Sequence, residues 1–194
     1  MVAAEDGQLL FREDWKVSEP SLPIDQSHVS HADLVLSLHG PGAFGIKKSH
    51  HDWIENDPYY VWSGSCPGAW AVSLRHGSQE LDLSGNSRVR WRSKQSGFRQ
   101  LRLILKLADG SWLVSDGSDG VSPDWRVFEM TISKLRWRKL DIIRVTEGDW
   151  VESADLTRVV EVGFTDLMTG GASAACSRLD WIEVYGKWGA PHEN

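Results

Sequence analysis

The chain has no long apolar run. Nowhere in its 194 residues do eighteen apolar residues stand together, so no membrane-spanning helix is expected. Nor does it have a basic surplus: 21 Lys and Arg stand against 27 Asp and Glu, a formal charge of −6. A general nucleic-acid binder presents a basic stripe and an alkaline balance, so no nucleic-acid partner is expected. Cysteine is scarce. Cys66 and Cys176 are compatible with one long-range disulfide or with two unrelated buried thiols, and neither sits in a nucleophile motif. No Cys-x-x-Cys or His-Glu-x-x-His occurs, so the local zinc motifs are absent. There is no internal repeat, no low-complexity stretch and no sustained helical spacing. The opening Met1-Val2-Ala3-Ala4-Glu5-Asp6 has neither a basic n-region nor an apolar h-region. Two readings stay open, a cytoplasmic protein or a mature secreted one whose leader was replaced by a start methionine.

What is present describes a folded chain. With 41% hydrophobic and 25% charged residues, the composition is globular, and the length suits one domain spanning 1–194. Eleven tryptophans exceed what a core this small needs. Flat aromatic surfaces of this kind are what sugar rings stack on. Turn signals recur at short intervals, among them Ser63-Gly64, Ser84-Gly85, Ser96-Gly97, Asp109-Gly110 and Asp119-Gly120. Strand-like runs lie between them, and many short strands so spaced predict an all-β sandwich or barrel. The stretches 17–31 and 40–60 read as long loops, the places on a β scaffold where function sits.

The centre of the chain carries the clearest pattern. In Arg88-Val89-Arg90-Trp91-Arg92-Ser93-Lys94 every even position is basic; in 101–107 every odd position is leucine. A hairpin over Ser96-Gly97-Phe98 would pair 92 with 102 and 88 with 106, burying Val89, Trp91, Leu103 and Leu105 together. A second hairpin over Asp109-Gly110 would set Leu107 opposite Trp112 and Leu105 opposite Val114. On the other face Arg92 would meet Arg102, and Arg88 would meet Lys106. Like charges directly opposite are destabilising, so something must neutralise them. The candidates are local acids such as Glu80 or Asp82, a bound anion, or an anionic ligand.

These segments resemble the galactose-binding-like jelly roll. The matching stretches are Leu81-Asp82-Leu83-Ser84-Gly85, the basic alternating strand, Trp137-Arg138-Lys139-Leu140-Asp141, Asp155-Leu156, Val160-Glu161-Val162-Gly163-Phe164 and Leu179-Asp180-Trp181-Ile182-Glu183-Val184-Tyr185-Gly186. Phe11-Arg12-Glu13-Asp14-Trp15 is similar to the acidic-aromatic first strand of such modules. The family includes carbohydrate-binding modules, complex I intermediate-associated proteins and 3-keto-disaccharide hydrolase-like domains. The resemblance implies a two-sheet antiparallel β-sandwich. It also implies a structural Ca²⁺ between Glu13 or Asp14 and Asp180, and a sugar lying near Arg90, Arg92 and Arg102. No organic cofactor is expected.

One loop concentrates reactive side chains: Lys47-Lys48-Ser49-His50-His51-Asp52-Trp53, then Asp57-Pro58-Tyr59-Tyr60. Adjacent His50 and His51 would point to opposite sides of an extended chain, which argues against their sharing one metal. A general acid or base role suits an imidazole that titrates near neutrality. Asp52 and Asp57 could form a carboxylate pair. Elimination of a uronic-acid sugar needs cations for the carboxylate, a base for the adjacent proton and an acid for the leaving oxygen. Arg92 and Arg102 could bind the carboxylate, His51 could act as base and Tyr60 as acid, with His50 and Asp52 beside them. Lys94, Lys48 and Trp53 complete the candidate substrate-binding set. The reading is a secreted or periplasmic protein acting on an oligo- or polysaccharide, a lyase or hydrolase. Its alternatives are a non-catalytic carbohydrate-binding protein and an assembly or interaction domain.

Overall fold

Alternation decides the central strand: in Arg88–Gln95 the even residues reach outward while Val89, Trp91, Ser93 and Gln95 are buried. A computed structural model describes residues 7–168 and 174–191. Within them the strands are β1 (Gln8–Glu13), β2 (Leu34–His39), β3 (Lys47–Ser49), β4 (Tyr60–Trp62), β5 (Trp70–His76), β6 (Gln79–Asp82) and β7 (Arg88–Gln95). They continue as β8 (Leu101–Leu107), β9 (Trp112–Asp119), β10 (Arg126–Thr131), β11 (Trp137–Asp141), β12 (Thr146–Val151), β13 (Val159–Asp166) and β14 (Ser177–Pro191). Among the described residues helix is confined to three short 3₁₀ turns. No helix among the described residues is long and apolar enough to cross a membrane.

All pairings are antiparallel and form two sheets. In the first, β7 lies between β10 and β14, β1 and β4 share the other edge of β14, and β3 pairs with β4. The second runs β2-β5-β13-β8-β9-β11-β12. β14 stitches them together. Its stretch 177–185 pairs with β7, while Lys187 and Trp188 pair with β6, which also touches β13.

The core fills the space between the sheets. Val89, Trp91, Ile182 and Val184 from the first meet Leu103, Leu105, Val162 and Phe164 from the second. Trp91 is fully buried, and its indole N–H donates to Asp119 Oδ2 at 2.9 Å. Truncating such a side chain costs roughly 3–5 kcal/mol.

The two expected hairpins come out differently. The strands over 88–95 and 101–107 exist, but they lie in opposite sheets and do not pair. The segment over Ser96-Gly97-Phe98 crosses the sandwich. It is pinned by Ser96 N donating to Cys176 O at 3.1 Å and by buried Arg99 donating through Nε to Ala175 O at 3.1 Å. Val89, Trp91, Leu103 and Leu105 are therefore all buried, but they face one another across the core. Arg92 never meets Arg102. The hairpin over Asp109-Gly110 does form, with one more residue in its turn: Leu107 N donates to Ser111 O at 2.9 Å and Gly110 takes φ +86°. The register is accordingly Leu105 with Leu113 and Lys106 with Trp112. That slip puts Leu113 in the main core and turns Trp112 outward. There it joins Ile104, Val114, Leu140 and Val145 in a small second cluster.

Candidate functional site

At one end of the first sheet, the outer face opens into a cleft of about 400 Å³. Strand alternation supplies its floor. β7 contributes Arg92 and Lys94, neighbouring β14 contributes Arg178, and β4 contributes Tyr60. Trp125 and Asp124, just before β10, form one wall. The loop 51–57 forms the other. Its backbone doubles back through Ile54 N to His51 O (3.1 Å) and Asp57 N to Ile54 O (3.2 Å), with Asn56 in the left-handed region at φ +58°. This fold brings Asp57 back onto His51. Asp57 Oδ2 accepts from the His51 backbone N–H and lies 2.9 Å from its Nδ1.

The Asp57 side chain is only 7% exposed, so its charge is directed at the imidazole. This partner orients the ring and favours the tautomer with its hydrogen on Nδ1. The Tyr60 hydroxyl stands 3.3 Å from the same Nδ1, and its ring packs against Trp125 at 5.3 Å. Burial pushes the Tyr60 phenol up, against hydrogen bonding to Ser49 and Arg178. Arg92 bonds Asp180 at 2.6 Å with its guanidinium 5.5 Å from the Trp125 ring centre. Burial raises the Asp180 carboxyl, opposed by that arginine. Lys94 reaches Asp124 at 3.6 Å. Among the described residues, Arg178 makes no ion pair.

The structure therefore brings His51, Tyr60, Arg92 and Lys94 together and sends the other candidates elsewhere. His50 turns to the far side of the loop, bonding Asp52 at 3.0 Å and stacking on Tyr59 at 4.0 Å. There, with Trp53, they border a neighbouring groove of about 450 Å³. Asp52 and Asp57 each serve a different histidine and do not act as a pair. Lys48 pairs with Val61 and so faces inward, buried, with Nζ lacking any hydrogen-bond partner. Burial pushes its amine down to about 8. Arg102 stands on the opposite sheet, donating to Ser115 O and Glu147. Arg90 lies mid-face between Glu129 and Glu183, both at 3.5 Å.

Neutralisation of the basic strand comes from β10 and β14, through Glu129, Asp180 and Glu183. The acids expected for this, Glu80 and Asp82, bond Arg158 and Ser84 instead. The carboxylates expected to hold calcium are also spoken for. Glu13 is buried and accepts the backbone N–H groups of Trp15, Ser30 and His31, Asp14 pairs with Arg12, and Asp180 with Arg92. Both cysteines are free and buried.

Arg178, Trp125 and the role of Asp57 as the partner of His51 were not legible. Arg178 and Trp125 reach the cleft only because β14 and β10 flank β7, a long-range pairing with no local sequence signal. For Asp57 the spacing from His51 was visible, but the doubled-back loop was not.

No family model matches the chain, and no curated protein matches it by sequence. Solved structures do resemble it. A family 11 carbohydrate-binding module from Clostridium thermocellum, in complex with a β-1,3-1,4-mixed-linked tetrasaccharide, aligns at TM-score 0.51 and 14% identity, covering 90% of this chain and 98% of that one. The family 11 module of a cellulosomal cellulase of Clostridium thermocellum gives 0.49 and 15%, covering 95% and 97%. A family 29 module from Piromyces equi gives 0.47 and 12%, covering 92% and 89%. Identities this low relate folds and not functions. The paired antiparallel sheets described above thus form a jelly-roll β-sandwich like that of the family 11 module.

Proposed function

We propose that this chain binds an acidic oligosaccharide in the cleft between the loop 51–57 and Trp125. One observation carries the reading: Arg178 stands in the cleft beside Tyr60 without a carboxylate partner, while Arg92 and Lys94 next to it each have one. A uronate carboxylate suits that guanidinium, which presents a planar fork of donors. Trp125 offers an aromatic face for the ring, in a cleft otherwise lined mostly by polar and charged side chains, Glu55 among them. The module of similar fold from Clostridium thermocellum was solved with an oligosaccharide, which supports the ligand class. An extracytoplasmic location follows from such a ligand.

A second reading, cleavage of that sugar, is favoured by the His51–Asp57 geometry. In elimination, His51 Nε2 would take the proton beside the uronate, Arg178 would hold the developing charge, and Tyr60 would protonate the leaving oxygen. The test is incubation with neutral, uronate-bearing and oxidised oligosaccharides, followed by calorimetry and mass spectrometry. Saturable binding of an acidic sugar without new products supports the binder. Cleavage into an unsaturated fragment without uptake of water supports the lyase. Tighter binding of neutral sugars, or none at all, overturns the acidic-ligand reading.

A further inference from the structure

A second cluster of ligating side chains lies at the other end of the molecule. His31 and Asp33 stand in the turn entering β2, and His76 ends β5, where it pairs with Leu34. One ligand atom from each, imidazole nitrogen or carboxylate oxygen, falls within 4.8 Å of the other two.

The arrangement is fixed from beneath. Fully buried Glu13 accepts from the backbone N–H groups of Ser30 (2.7 Å) and His31 (3.0 Å), which holds the turn. Gly77 N donates to Asp33 O at 2.8 Å, tying that turn to the end of β5. Asp33 N donates to His31 Nδ1 at 3.3 Å; a neutral imidazole has one in-plane lone pair, so ligation by His31 exchanges this contact for the cation. The His76 ring packs against Trp188 at 4.6 Å and meets the His31 ring edge-on at 5.4 Å.

An independent observation points to a ligand. His76 Nδ1 is buried and has no hydrogen-bond partner. A buried polar atom left unmatched costs free energy. A cation that takes the imidazole lone pair removes that cost. Asp33 is exposed, so one side of the cluster opens to water for the remaining coordination positions.

We propose that His31, Asp33 and His76 form a transition-metal site that takes Zn²⁺. Two imidazoles and one carboxylate suit zinc and its first-row neighbours, whereas Ca²⁺ prefers an all-oxygen shell. The ion would clamp the turn before β2 to the end of β5, beside Trp188 of β14. The site is independent of the glycan reading. From Arg178 to Trp188, β14 runs ten residues, roughly 33 Å of strand.

The test titrates chelator-stripped, full-length protein with ZnCl₂ and, separately, CaCl₂, followed by calorimetry and thermal melting. The expected result is one zinc per chain, a raised melting temperature, no response to calcium, and visible absorption bands when Co²⁺ replaces zinc. His31→Ala and His76→Ala should each weaken zinc affinity by at least roughly 100-fold, above the losses seen for outer-shell changes. His51→Ala should leave it unchanged. Should His76→Ala fail to fold, His31→Ala and Asp33→Asn at the more open ligands carry the same test. No saturable zinc uptake overturns the proposal. So does uptake that survives His31→Ala, since the ion would then sit elsewhere, as with His50 and Asp52.

Discussion

At one end of the outer face of the first sheet, Arg88 and Arg90 share Glu129, and Arg90 and Arg12 both reach Glu183. At the other end Arg92 and Lys94 continue the same strand, but a loop arches over them and Arg178 beside them, though bonded to Tyr60, makes no ion pair among the described residues. Both ends are built from one alternating strand and carry similar charge. The first is a ladder in which β10 and β14 interleave an acid between the arginines, so that each of them has a carboxylate partner. The second is a cleft because the loop 51–57 and Trp125 enclose the cations and leave one of them unmatched. A count of basic residues does not distinguish a solvated face from a binding site; the placement of the acids does.

The cleft end also holds more unmet polar demand. Lys48, Trp62 and Gln95, on β3, β4 and β7 at this end, have buried side-chain polar atoms without partners.

Substitutions can break or sharpen this contrast. The largest effect is expected from Arg178→Ala. Loss of a charge-assisted hydrogen bond of about 2 kcal/mol lowers acidic-sugar affinity roughly 30-fold with little change in melting temperature, as calorimetry and melting would show. Lys48→Met acts on stability instead. A buried ammonium with no hydrogen-bond partner, offset only in part by the Tyr59 ring 4.6 Å away, gives way to an apolar chain of similar length, raising stability near pH 7 by about 1–2 kcal/mol in denaturant titrations.

The sign of its pH dependence follows from the depressed pKa. Between about 8, the folded value, and the usual 10.5, the unfolded chain holds a proton that the fold does not. Stability therefore rises with pH through that window, and Lys48→Met abolishes the rise.

Trp125→Ala removes the aromatic wall and should weaken binding by about 1 kcal/mol, roughly fivefold. Asp124→Asn frees Lys94 and should strengthen acidic-sugar binding by about 0.5 kcal/mol, a gain that fades in high salt. Arg90→Ala, in the closed ladder, should leave binding unchanged in the same assay. A loss there equal to that of Arg178→Ala would erase the contrast between the two ends.

Much of the fold was legible because strand alternation is local. The basic-out, apolar-in pattern of Arg88–Gln95 and the leucines of 101–107 both mark strands, and Val89, Trp91, Leu103 and Leu105 are core. Which strands pair was not legible. The turn at Ser96-Gly97-Phe98 has the composition of a hairpin, yet it crosses the core because β14 and β13 claim the edges of β7 and β8. The site divides the same way. His51, Tyr60, Arg92 and Lys94 stand out by residue type or strand phase. Arg178 and Trp125 need the long-range pairing, as does the meeting of His31 and Asp33 with His76.

In the proposed reading the open end of this face, with Arg178 at its centre, recognises an acidic sugar. The most direct measurement is calorimetric titration of wild type, Arg178→Ala and Arg90→Ala with a uronate oligosaccharide and its neutral counterpart at low and high salt. Saturable, salt-sensitive binding of the uronate is expected for wild type and Arg90→Ala, with a roughly 30-fold loss in Arg178→Ala. Equal affinity in all three proteins, or a preference for the neutral sugar, would contradict it.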